Sequence, residues 1–477
     1  MTKFVGRAIE REKIHAALTS SDPELVAVWG RRRVGKTFLI RYGREPVTDH
    51  FMEITGQRNG ALKIQLKHFR DGLSAAFHQG IALSIPATWD DAFQHLANSL
   101  GAIPADGKPI TLFFDEAPWL DARRSGFLDA FEYFWNTVGV KNTRLKVFVC
   151  GSAASWIINK IVNGKGGWHR RITRRLLVLP FNLSETNAYL TSRRIQLSKL
   201  DILRLYMILG GVPYYLSLMQ RGESVATFTD RLFFAQSPDL QGEFDELFDS
   251  LFNSSAVHKK IMSILAKTKS GMTRTEIIAD ASLPSGGSLN RYIDNLENSG
   301  FIEAHLPLAT TAGKDKRYRV CDMFTLFHLR WLTKKAKLQS WQAIVAHQHY
   351  KSWCGHAFEM LSWNHAGNIA HALGVARSDY SVTCARIDNS EGSAQIDLLF
   401  DVRGGAIYLF ELKFSDHPYV MVAAEAGKLQ QRRRVLEREY NGSRSTIVCL
   451  LTPCGAKRNP QLDGVVDLVL DETAVFS

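Results

Sequence analysis

The sequence predicts an α/β protein with several domains, and three observations support this prediction. The chain has 477 residues, enough for about three domains of ordinary size. Hydrophobic residues make up 45% and charged residues 22% of it, which excludes a largely disordered chain. Over roughly the first 230 residues, short apolar runs alternate with helical patterns, as in a sheet covered by helices.

Three near-continuous apolar runs in this region predict parallel strands. They lie at residues 24–30, 109–117 and 144–152. Strands that are buried on both faces read as continuous apolar runs, whereas half-exposed strands alternate between apolar and polar residues. The runs therefore place the first part of the chain in the α/β class.

An eight-residue motif between the first run and a predicted helix at 38–42 indicates a phosphate-binding loop. It fits the pattern GxxxxGK[ST] and consists of Gly30, Arg31, Arg32, Arg33, Val34, Gly35, Lys36 and Thr37. The two glycines allow backbone N–H groups to surround the phosphates. Lys36 then reaches the β- and γ-phosphates, and the Thr37 hydroxyl binds Mg²⁺ at the positive end of the helix. We therefore expect ATP and Mg²⁺ as cofactors, and we give the three arginine side chains no separate role.

The second and third apolar runs end in residues that complete the predicted nucleotide site. Asp115 is expected to hold Mg²⁺ through water, and Glu116 is placed to orient or deprotonate the attacking water. The alternative is an acidic pair that only caps a loop. Ser152, at the end of the third run, is a candidate sensor of the γ-phosphate, although serine is also a common turn residue.

These motifs, in this order, resemble those of the archaeal-type ATPases, which are P-loop proteins of the AAA+/STAND group. The resemblance rests on Phe4-x-Gly6-Arg7-x-x-Glu10, the phosphate loop, Asp115-Glu116, Gly151-Ser152, residues 179–185 and Gly210-Gly211-x-Pro213. It implies that Val5, Gly6 and Arg7 line an adenine pocket. It also implies that Gly211-Val212-Pro213 begins a helical lid, with Pro213 among the nucleotide-binding residues.

A basic segment from Lys160 to Ser184 carries six Lys or Arg residues and no acid. The family usually has a Gly-Arg pair in this region, whereas this chain reads Gly167-Trp168-His169-Arg170-Arg171. One interpretation is an arginine finger, Arg170 or Arg171, that neutralises charge on the transferred phosphoryl group. The alternatives are a DNA-backbone patch and a solvated basic loop.

The middle of the chain has the lengths and polar turns of a winged helix-turn-helix. Helices are predicted at 257–267, 273–282 and 287–304, followed by a wing that carries Lys314, Lys316, Arg317 and Arg319. One interpretation puts the third helix in a DNA major groove. The favoured alternative is a lid or adaptor that packs on the ATPase, because the third helix also carries Asp294 and Glu297.

The carboxyl-terminal region combines an E-x-K triplet with two further acids. Glu411-Leu412-Lys413 ends a predicted strand, Asp397 lies in the preceding strand, and Glu359 lies on the helix that opens the region. This order of helix, strands, helix and strand resembles the PD-(D/E)xK restriction-endonuclease fold. Asp397 and Glu411 would hold Mg²⁺ or Mn²⁺, with Glu359 reaching the metal from its helix. Lys413 would stabilise charge on the phosphate. The alternatives are a salt-bridged surface strand and a nuclease fold without activity.

The charge balance favours a phosphate-rich partner. The chain has 59 Lys+Arg against 47 Asp+Glu, a formal charge of +12, and cationic side chains release counterions from nucleic acid. DNA is therefore the expected partner, with a generally basic soluble protein as the alternative. No apolar segment predicts a membrane span or a signal peptide. The six cysteines lack a disulfide framework, which favours the cytoplasm.

These inferences combine into a predicted domain order and function. The predicted domains are a P-loop ATPase core (1–190), a helical lid (191–250), a winged-helix-like module (251–320), a helical connector (321–349) and a nuclease-like domain (350–477). We expect an ATPase switch coupled to a DNA nuclease, with a homo-oligomer or a nucleotide-dependent assembly as a further expectation. The family likeness also suggests defence or mobile-element biology. The alternative is an ATP-regulated DNA-binding or signalling module with an inert nuclease fold; a molecular motor ranks lower.

Overall fold

The computed structural model describes residues 4–45, 47–122, 124–164, 171–281, 287–308, 316–333 and 340–476. The chain forms two compact units, Met1–Leu179 and Pro180–Ser477. The first unit is eleven residues shorter than the ATPase core predicted at 1–190, and the second unit contains all the other predicted domains. The five-domain division therefore stays a prediction.

A five-stranded parallel sheet forms the centre of the first unit. Its strands are β1 (Glu24–Trp29), β2 (His50–Thr55), β3 (Ile110–Asp115), β4 (Leu145–Gly151) and β5 (Arg174–Leu177). They are ordered β2-β3-β4-β1-β5 and all their pairings are parallel. β1, β3 and β4 coincide with the three apolar runs. Because parallel neighbours end at the same edge of a sheet, the segments that follow these three strands lie close together.

Helices cover both faces of this sheet. They are α1 (Ala8–Leu18), α2 (Lys36–Gly43), α3 (Leu62–Phe77), α4 (Trp89–Ala102), α5 (Phe127–Thr137) and α6 (Ala154–Trp156), with 3₁₀ turns at Ala117–Trp119 and Gly139–Lys141 and a π-helical turn at Ile157–Val162. Thr88 and Asp91 begin α4 with a reciprocal capping box. Phe93 of α4 packs against Phe114 of β3 and Phe131 of α5. Burial of these aromatic side chains therefore stabilises the packing of α4 and α5 on one face of the sheet.

The second unit begins with five helices. They are α7 (Leu183–Ser192), α8 (Lys199–Leu209), α9 (Pro213–Ser217), α10 (Val225–Phe233) and α11 (Glu243–Leu251). α8 ends at Gly210, whose φ of +68° is the left-handed conformation that favours glycine after a helix. Pro213 opens α9, where a missing N–H costs no helical hydrogen bond. These helices occupy the predicted lid region, and their action as a lid stays a prediction.

The next elements are three helices and a small antiparallel sheet. The helices are α12 (Ser255–Leu265), α13 (Arg274–Ala281) and α14 (Gly287–Asn298), and the strands are β6 (Met272–Thr273), β7 (Ile302–His305) and β8 (Arg317–Val320). The strand order is β6-β8-β7. We refer to α12–α14 and β6–β8 as the helix–wing module.

One of the expected wing cations is buried. Arg319 lies on β8, but it is only 2% exposed, and its guanidinium carbon lies 3.5 Å from the ring centre of Trp363. Arg319 also pairs with Glu303 of β7. A buried guanidinium stacked on an indole has no face left for a DNA phosphate. Lys314, the first of the expected wing cations, lies outside the described residues.

An aromatic core follows the helix–wing module. It is built by α15 (Met323–Phe327), a π-helical turn (His328–Leu332), α16 (Trp341–Val345), α17 (Gln348–Asn364) and α18 (Ala366–Ala372). Trp341 makes edge-on contacts with Phe327, Trp331 and Trp353. The predicted connector therefore contributes to the hydrophobic core of the second unit.

A mixed five-stranded sheet ends the second unit. Its strands are β9 (Tyr380–Asn389), β10 (Gly392–Val402), β11 (Ile407–Leu412), β12 (Thr446–Leu451) and β13 (Leu468–Leu470), and its helices are α19 (Ala423–Glu439), α20 (Pro460–Asp463) and α21 (Thr473–Phe476). β9, β10 and β11 are antiparallel, whereas β11, β12 and β13 are parallel. The elements α17, β9, β10, β11, α19 and β12 follow one another as the sequence predicts, except that the additional helix α18 lies between α17 and β9. Within the described ranges, the chain has no helix of the length and apolar character that a membrane span requires.

Candidate functional site

The phosphate loop joins β1 to α2, and its glycines are required by its geometry. Gly30 has φ +149°, and a Cβ at this position would lie 2.1 Å from the carbonyl oxygen of Val178. Gly35, at the start of α2, has φ +88° and open space where a Cβ would be. A side chain at position 30 would collide with the backbone after β5. Gly30 is therefore required for close packing against the backbone, and Gly35 for its left-handed backbone conformation.

Lys36 extends back into the loop and is buried. Its Nζ donates hydrogen bonds to the carbonyl oxygens of Gly30 and Arg31, at 2.9 and 3.0 Å, and to Ser152 Oγ, at 3.0 Å. Burial lowers the pKa of Lys36, and the nearby negative charges oppose that shift. Among the described residues, every acceptor of this ammonium is a neutral oxygen, and none forms a salt bridge with it.

The hydroxyl of Thr37 and the carboxylate of Asp115 meet across the loop. Thr37 Oγ1 donates to Asp115 Oδ2 at 2.7 Å, and the backbone N–H of Glu116 donates to Asp115 Oδ1 at 3.0 Å. Burial raises the pKa of Asp115. A hydroxyl and a carboxylate oxygen are the donors that Mg²⁺ prefers. These two side chains therefore fit the cation that accompanies a nucleotide phosphate.

Glu116 and Ser152 form a second pair beside Lys36. Ser152 donates its Oγ–H to Glu116 Oε1 at 2.5 Å and its backbone N–H to Glu116 Oε2 at 3.1 Å. Glu116 has φ +46° and ψ +44°, an uncommon backbone conformation for a residue other than glycine. Ser152 thus contacts both Lys36 and Glu116, a connection that the sequence did not predict beyond its position after β4.

Arg7 ties the amino-terminal segment to the phosphate loop. Its Nη2 donates to the carbonyl oxygen of Val34 at 3.0 Å, its Nη1 lies 3.3 Å from Glu10, and the residue is 4% exposed.

The ring of Phe4 stacks on that of Phe38, with centroids 5.5 Å apart. The sequence analysis missed Phe38, whose signal is an aromatic residue directly after the loop threonine. Val5 and Gly6 lie between these contacts, and their place in an adenine pocket stays a prediction.

The predicted arginines fall into different environments. Arg31 is buried, whereas Arg32 and Arg33 are half-buried. Arg170 lies outside the described residues, and Arg171 is exposed in a turn before β5. Pro213 belongs to the second unit. The roles of Arg170, Arg171 and Pro213 therefore stay predictions.

The acids of the predicted second site lie on neighbouring elements of the carboxyl-terminal sheet. Leu398 of β10 pairs with Phe410 of β11, so Asp397 and Glu411 are the next facing positions on these antiparallel strands. Asp397 Oδ1 accepts a hydrogen bond of 3.0 Å from the Gln395 amide. Burial raises the pKa of Asp397, and the negative charge of Glu359 on α17 adds to this rise. The structure therefore brings Glu359 within electrostatic reach of Asp397 and places Asp397 and Glu411 on neighbouring strands.

Protein cations hold two of these three acids. Lys269 Nζ lies 2.7 Å from Glu359 Oε1, and Lys413 Nζ lies 3.0 Å from Glu411 Oε1. Arg432 of α19 pairs with the other oxygen of Glu411. Burial lowers the pKa of Lys413, but Glu411 and Glu425 together raise it above its ordinary value, so this lysine is charged at neutral pH. Sequence reasoning missed Lys269, because no local pattern links it to a partner 90 residues away.

The metal-ligand set predicted from Glu359, Asp397 and Glu411 is not assembled. In the part of the chain that the structure describes, no group of three or more His, Cys, Asp or Glu residues is arranged to hold a metal ion. The physical reason is that ammonium and guanidinium groups engage Glu359 and Glu411. A metal at this site is therefore a proposal.

Comparisons with known sequences bear on the first site. Residues 4–219 match the family described as an ATPase domain predominantly from Archaea. An uncharacterised protein of Methanocaldococcus jannaschii is 24% identical over 333 residues, which is 69% of this chain and 69% of that protein.

A solved structure has a similar fold. The Walker-type ATPase of Pyrococcus abyssi is similar with a TM-score of 0.50 and 18% identity, over 69% of this chain and 96% of that chain. The ORC2 protein of Aeropyrum pernix, solved as ADPNP–ADP complexes, gives a TM-score of 0.44 and 13% identity, over 69% and 93% of the two chains. Residues 4–219 are thus similar to an ATPase domain of the archaeal type, and this similarity, together with the loop geometry, supports nucleotide binding and ATP hydrolysis.

Proposed function

We propose that the protein is a Mg²⁺-dependent ATPase switch coupled to a nuclease domain of the PD-(D/E)xK type that acts on DNA. The ATPase half rests on the loop in which Lys36, Thr37, Asp115 and Glu116 converge. The nuclease half rests on one observation: Asp397 and Glu411 each lie one residue beyond the Leu398–Phe410 pair of neighbouring strands, and Lys413 Nζ lies 3.0 Å from Glu411. Residues two apart on a strand point to the same face.

In the ATPase domain each polar group has a separate task. Thr37 and Asp115 would hold Mg²⁺, and the bound ion would supply positive charge against the β- and γ-phosphates. Lys36 moves its hydrogen bonds from neutral carbonyls to the phosphates, where an ammonium is more strongly attracted. Glu116 orients the attacking water and takes its proton.

Ser152 gives this site a way to sense nucleotide. Its hydroxyl accepts a hydrogen bond from Lys36 and donates one to Glu116. When Lys36 turns to a phosphate, Ser152 loses its donor, and its hydrogen bond to Glu116 is free to rearrange. Phosphate binding is thereby linked to the orientation of the catalytic carboxylate.

The carboxyl-terminal acids fit a divalent cation by their chemistry. Asp397 is a half-buried carboxylate, and its partial burial, together with the negative charge of Glu359, raises its pKa. Mg²⁺ or Mn²⁺ bound by Asp397, Glu411 and Glu359 would polarise a phosphodiester and lower the pKa of a bound water. Lys413 holds its charge near Glu411 and stabilises negative charge on the phosphate.

DNA is the proposed substrate because of charge and of the nuclease-like sheet. A surplus of twelve positive charges favours a polyanion. ATP binding would change the arrangement of the chain and license contact with DNA or its cleavage. We place this action in the cytoplasm and expect assembly to depend on nucleotide.

A second function is supported by a specific observation. Glu411 is held by Lys413 and Arg432, and Glu359 by Lys269. If these ion pairs are permanent, the sheet binds no metal, and the protein is an ATP-regulated DNA-binding or signalling module with an inert nuclease fold.

The deciding experiment incubates the full-length protein with supercoiled plasmid and Mg²⁺ or Mn²⁺, with and without ATP. Asp397→Ala and Lys413→Ala should both end cleavage and leave ATP hydrolysis within about twofold of wild type. Asp397→Ala should also lose divalent-metal affinity because it removes a ligand, whereas Lys413→Ala should keep it. Asp388→Ala, an exposed acid on β9, is the matched control and should cleave normally.

Two results would change this conclusion. A wild-type protein that binds DNA but does not cut it under any metal or nucleotide condition favours the inert module. An Asp397→Ala protein that cuts as well as wild type shows that these carboxylates are structural. DNA affinity that is insensitive to salt would count against DNA as the partner, because phosphate contacts release counterions.

A further inference from the structure

Lys269 connects the helix–wing module to the acids of the carboxyl-terminal sheet. It lies in the turn between α12 and β6, and its Nζ is 2.7 Å from Glu359 Oε1 on α17. The Glu359 side chain is 12% exposed, whereas that of Lys269 is 47% exposed. The carboxylate is thus mostly shielded from water, whereas its lysine partner is exposed.

The backbone of this turn is fixed by the wing. Arg317 of β8 donates to the carbonyl oxygens of Ser270, at 3.3 Å, and Gly271, at 2.9 Å. Gly271 has φ +70°, and a Cβ there would lie 2.6 Å from the carbonyl oxygen of Tyr318. The turn therefore packs directly on β8, and the helix–wing module sets the position of Lys269.

Two of the three acids are paired with cations, and these cations come from different elements. Lys413 directly follows the strand of Glu411 and Arg432 lies on the helix after it; both pair with Glu411. Lys269 comes from the helix–wing module and pairs with Glu359, which also lies 3.8 Å from His356 Nδ1. Among the described residues, the Asp397 side chain forms no ion pair and accepts a hydrogen bond from the Gln395 amide. Withdrawal of the turn would therefore leave Glu359 and Asp397 without an opposing lysine, with His356 beside Glu359.

We infer that Lys269 is an intramolecular competitor for the divalent metal ion of the nuclease centre. Its ammonium neutralises Glu359, and the metal binds when the turn at 266–271 moves away. The inference rests on the proposed function, since it assumes that Glu359 and Asp397 are metal ligands. A partly exposed lysine suits this role, because water and a metal ion have access to the pair. Movement of the helix–wing module would then decide when the centre is loaded.

The test measures Mn²⁺ binding to the full-length protein, without nucleotide or DNA, from the loss of the free-Mn²⁺ paramagnetic resonance signal. Lys269→Ala should bind Mn²⁺ about tenfold more tightly than wild type, which corresponds to ~1.4 kcal/mol. Lys269→Arg keeps a cation and should stay within about twofold of wild type. Lys267→Ala is the matched control, because Lys267 lies in the same turn and forms no ion pair among the described residues.

A double variant shows whether the tightened Mn²⁺ binding occurs at Asp397. A second substitution of Lys269 controls for misfolding of Lys269→Ala. Adding Asp397→Ala to Lys269→Ala should remove the tightened binding, and Lys269→Gln should reproduce it with a polar side chain. If wild type, Lys269→Ala and Lys269→Gln bind Mn²⁺ with equal affinity and Asp397→Ala loses binding, Lys269 is not a competitor. The metal site itself would then still be supported. If no protein shows binding that depends on Asp397, both the competitor role and the nuclease centre are wrong.

Discussion

The two candidate sites of this protein handle charge in opposite ways. Within the described part of the first unit, Lys36 donates to neutral oxygens, and Asp115 and Glu116 accept from hydroxyl and backbone N–H groups. In the second unit, Glu359 and Glu411 are held by lysine and arginine side chains. The first site leaves its charges available for a ligand. At the second site, protein cations neutralise the charges of Glu359 and Glu411.

This difference predicts how each site meets its ligand. A charged group bound to neutral partners exchanges them for an oppositely charged ligand at a net gain, because charge-assisted hydrogen bonds are roughly twice as strong as neutral ones. A carboxylate that already has an ion pair must lose it first, so a ligand competes with the protein's own cations. The nucleotide site is therefore ready for its ligand, and the acidic site requires a prior rearrangement.

The largest expected effect tests the readiness of the first site. Lys36→Ala should reduce ATP hydrolysis by about a thousandfold, or ~4 kcal/mol, because it removes the main countercharge for the phosphates. Steady-state phosphate release measures this loss. Lys63→Ala, an exposed lysine on α3, should hydrolyse ATP at the wild-type rate. Hydrolysis that persists in Lys36→Ala would mean that the charge in the loop has another role.

Glu116→Gln separates binding from chemistry at the same site. The amide keeps the size of the side chain and a carbonyl oxygen for Ser152, but it does not take a proton from water. Hydrolysis should fall by about a hundredfold, or ~2.7 kcal/mol, and calorimetry should show ATP affinity within about threefold of wild type. A variant that fails to bind ATP would assign Glu116 to the structure of the loop.

The second unit should also be more sensitive to acid because of His365. His365 Nδ1 donates to the Leu361 carbonyl, and its Nε2 accepts from the N–H of Leu183. Burial lowers the pKa of His365 to about 4, below the ~6.5 of an unfolded chain. The unfolded state therefore binds more protons between these values, and stability falls as the pH decreases through this window.

The expected loss in the free energy of unfolding is ~2 kcal/mol between pH 7 and pH 5 from this residue. Denaturant unfolding at the two pH values measures it. His365→Gln should flatten the dependence, whereas His371→Gln, an exposed neighbour on α18, should leave it unchanged. Equal pH dependence in wild type and His365→Gln would contradict the prediction.

The smallest effect concerns the link between Lys36 and Glu116. Ser152→Ala removes the hydroxyl that contacts both residues and leaves the backbone N–H bond to Glu116. ATP hydrolysis should fall by about tenfold, or ~1.4 kcal/mol, with ATP affinity nearly unchanged. Ser152→Thr keeps the hydroxyl and should recover most of the rate. A loss of ATP affinity without a change in rate would make Ser152 a binding residue only.

Local sequence patterns predicted the central part of the fold and of the nucleotide site. β1, β3 and β4 are continuous apolar runs, and the phosphate loop has fixed spacing after β1. Because β3 and β4 are neighbours in a parallel sheet, Asp115 and Ser152 arrive at the same edge as the loop. Lys413 follows Glu411 by two residues, so its position on the same face was also predictable.

Contacts between distant segments were beyond these patterns. Lys269 looks like an ordinary surface lysine in the sequence, and its partner Glu359 is 90 residues away. Arg319 looks like a wing cation, but stacking on Trp363 buries it. The compact unit ends at Leu179 rather than at residue 190. In each case the structure depends on tertiary packing between residues far apart in the sequence, which a short stretch of sequence does not contain.

The order of strands in the first unit also has a consequence for synthesis of the chain. β1 is made early, but its neighbours in the sheet are β4 and β5. Thr37 meets its partner 78 residues later, Lys36 meets Ser152 116 residues later, and Gly30 packs against Val178. Sheets with such distant pairings form slowly, because the entropy cost of closing the long intervening loops comes before the stabilising contacts form. A nascent chain therefore cannot complete its nucleotide pocket until β5 has left the ribosome, and ATP cannot assist the folding of any shorter fragment.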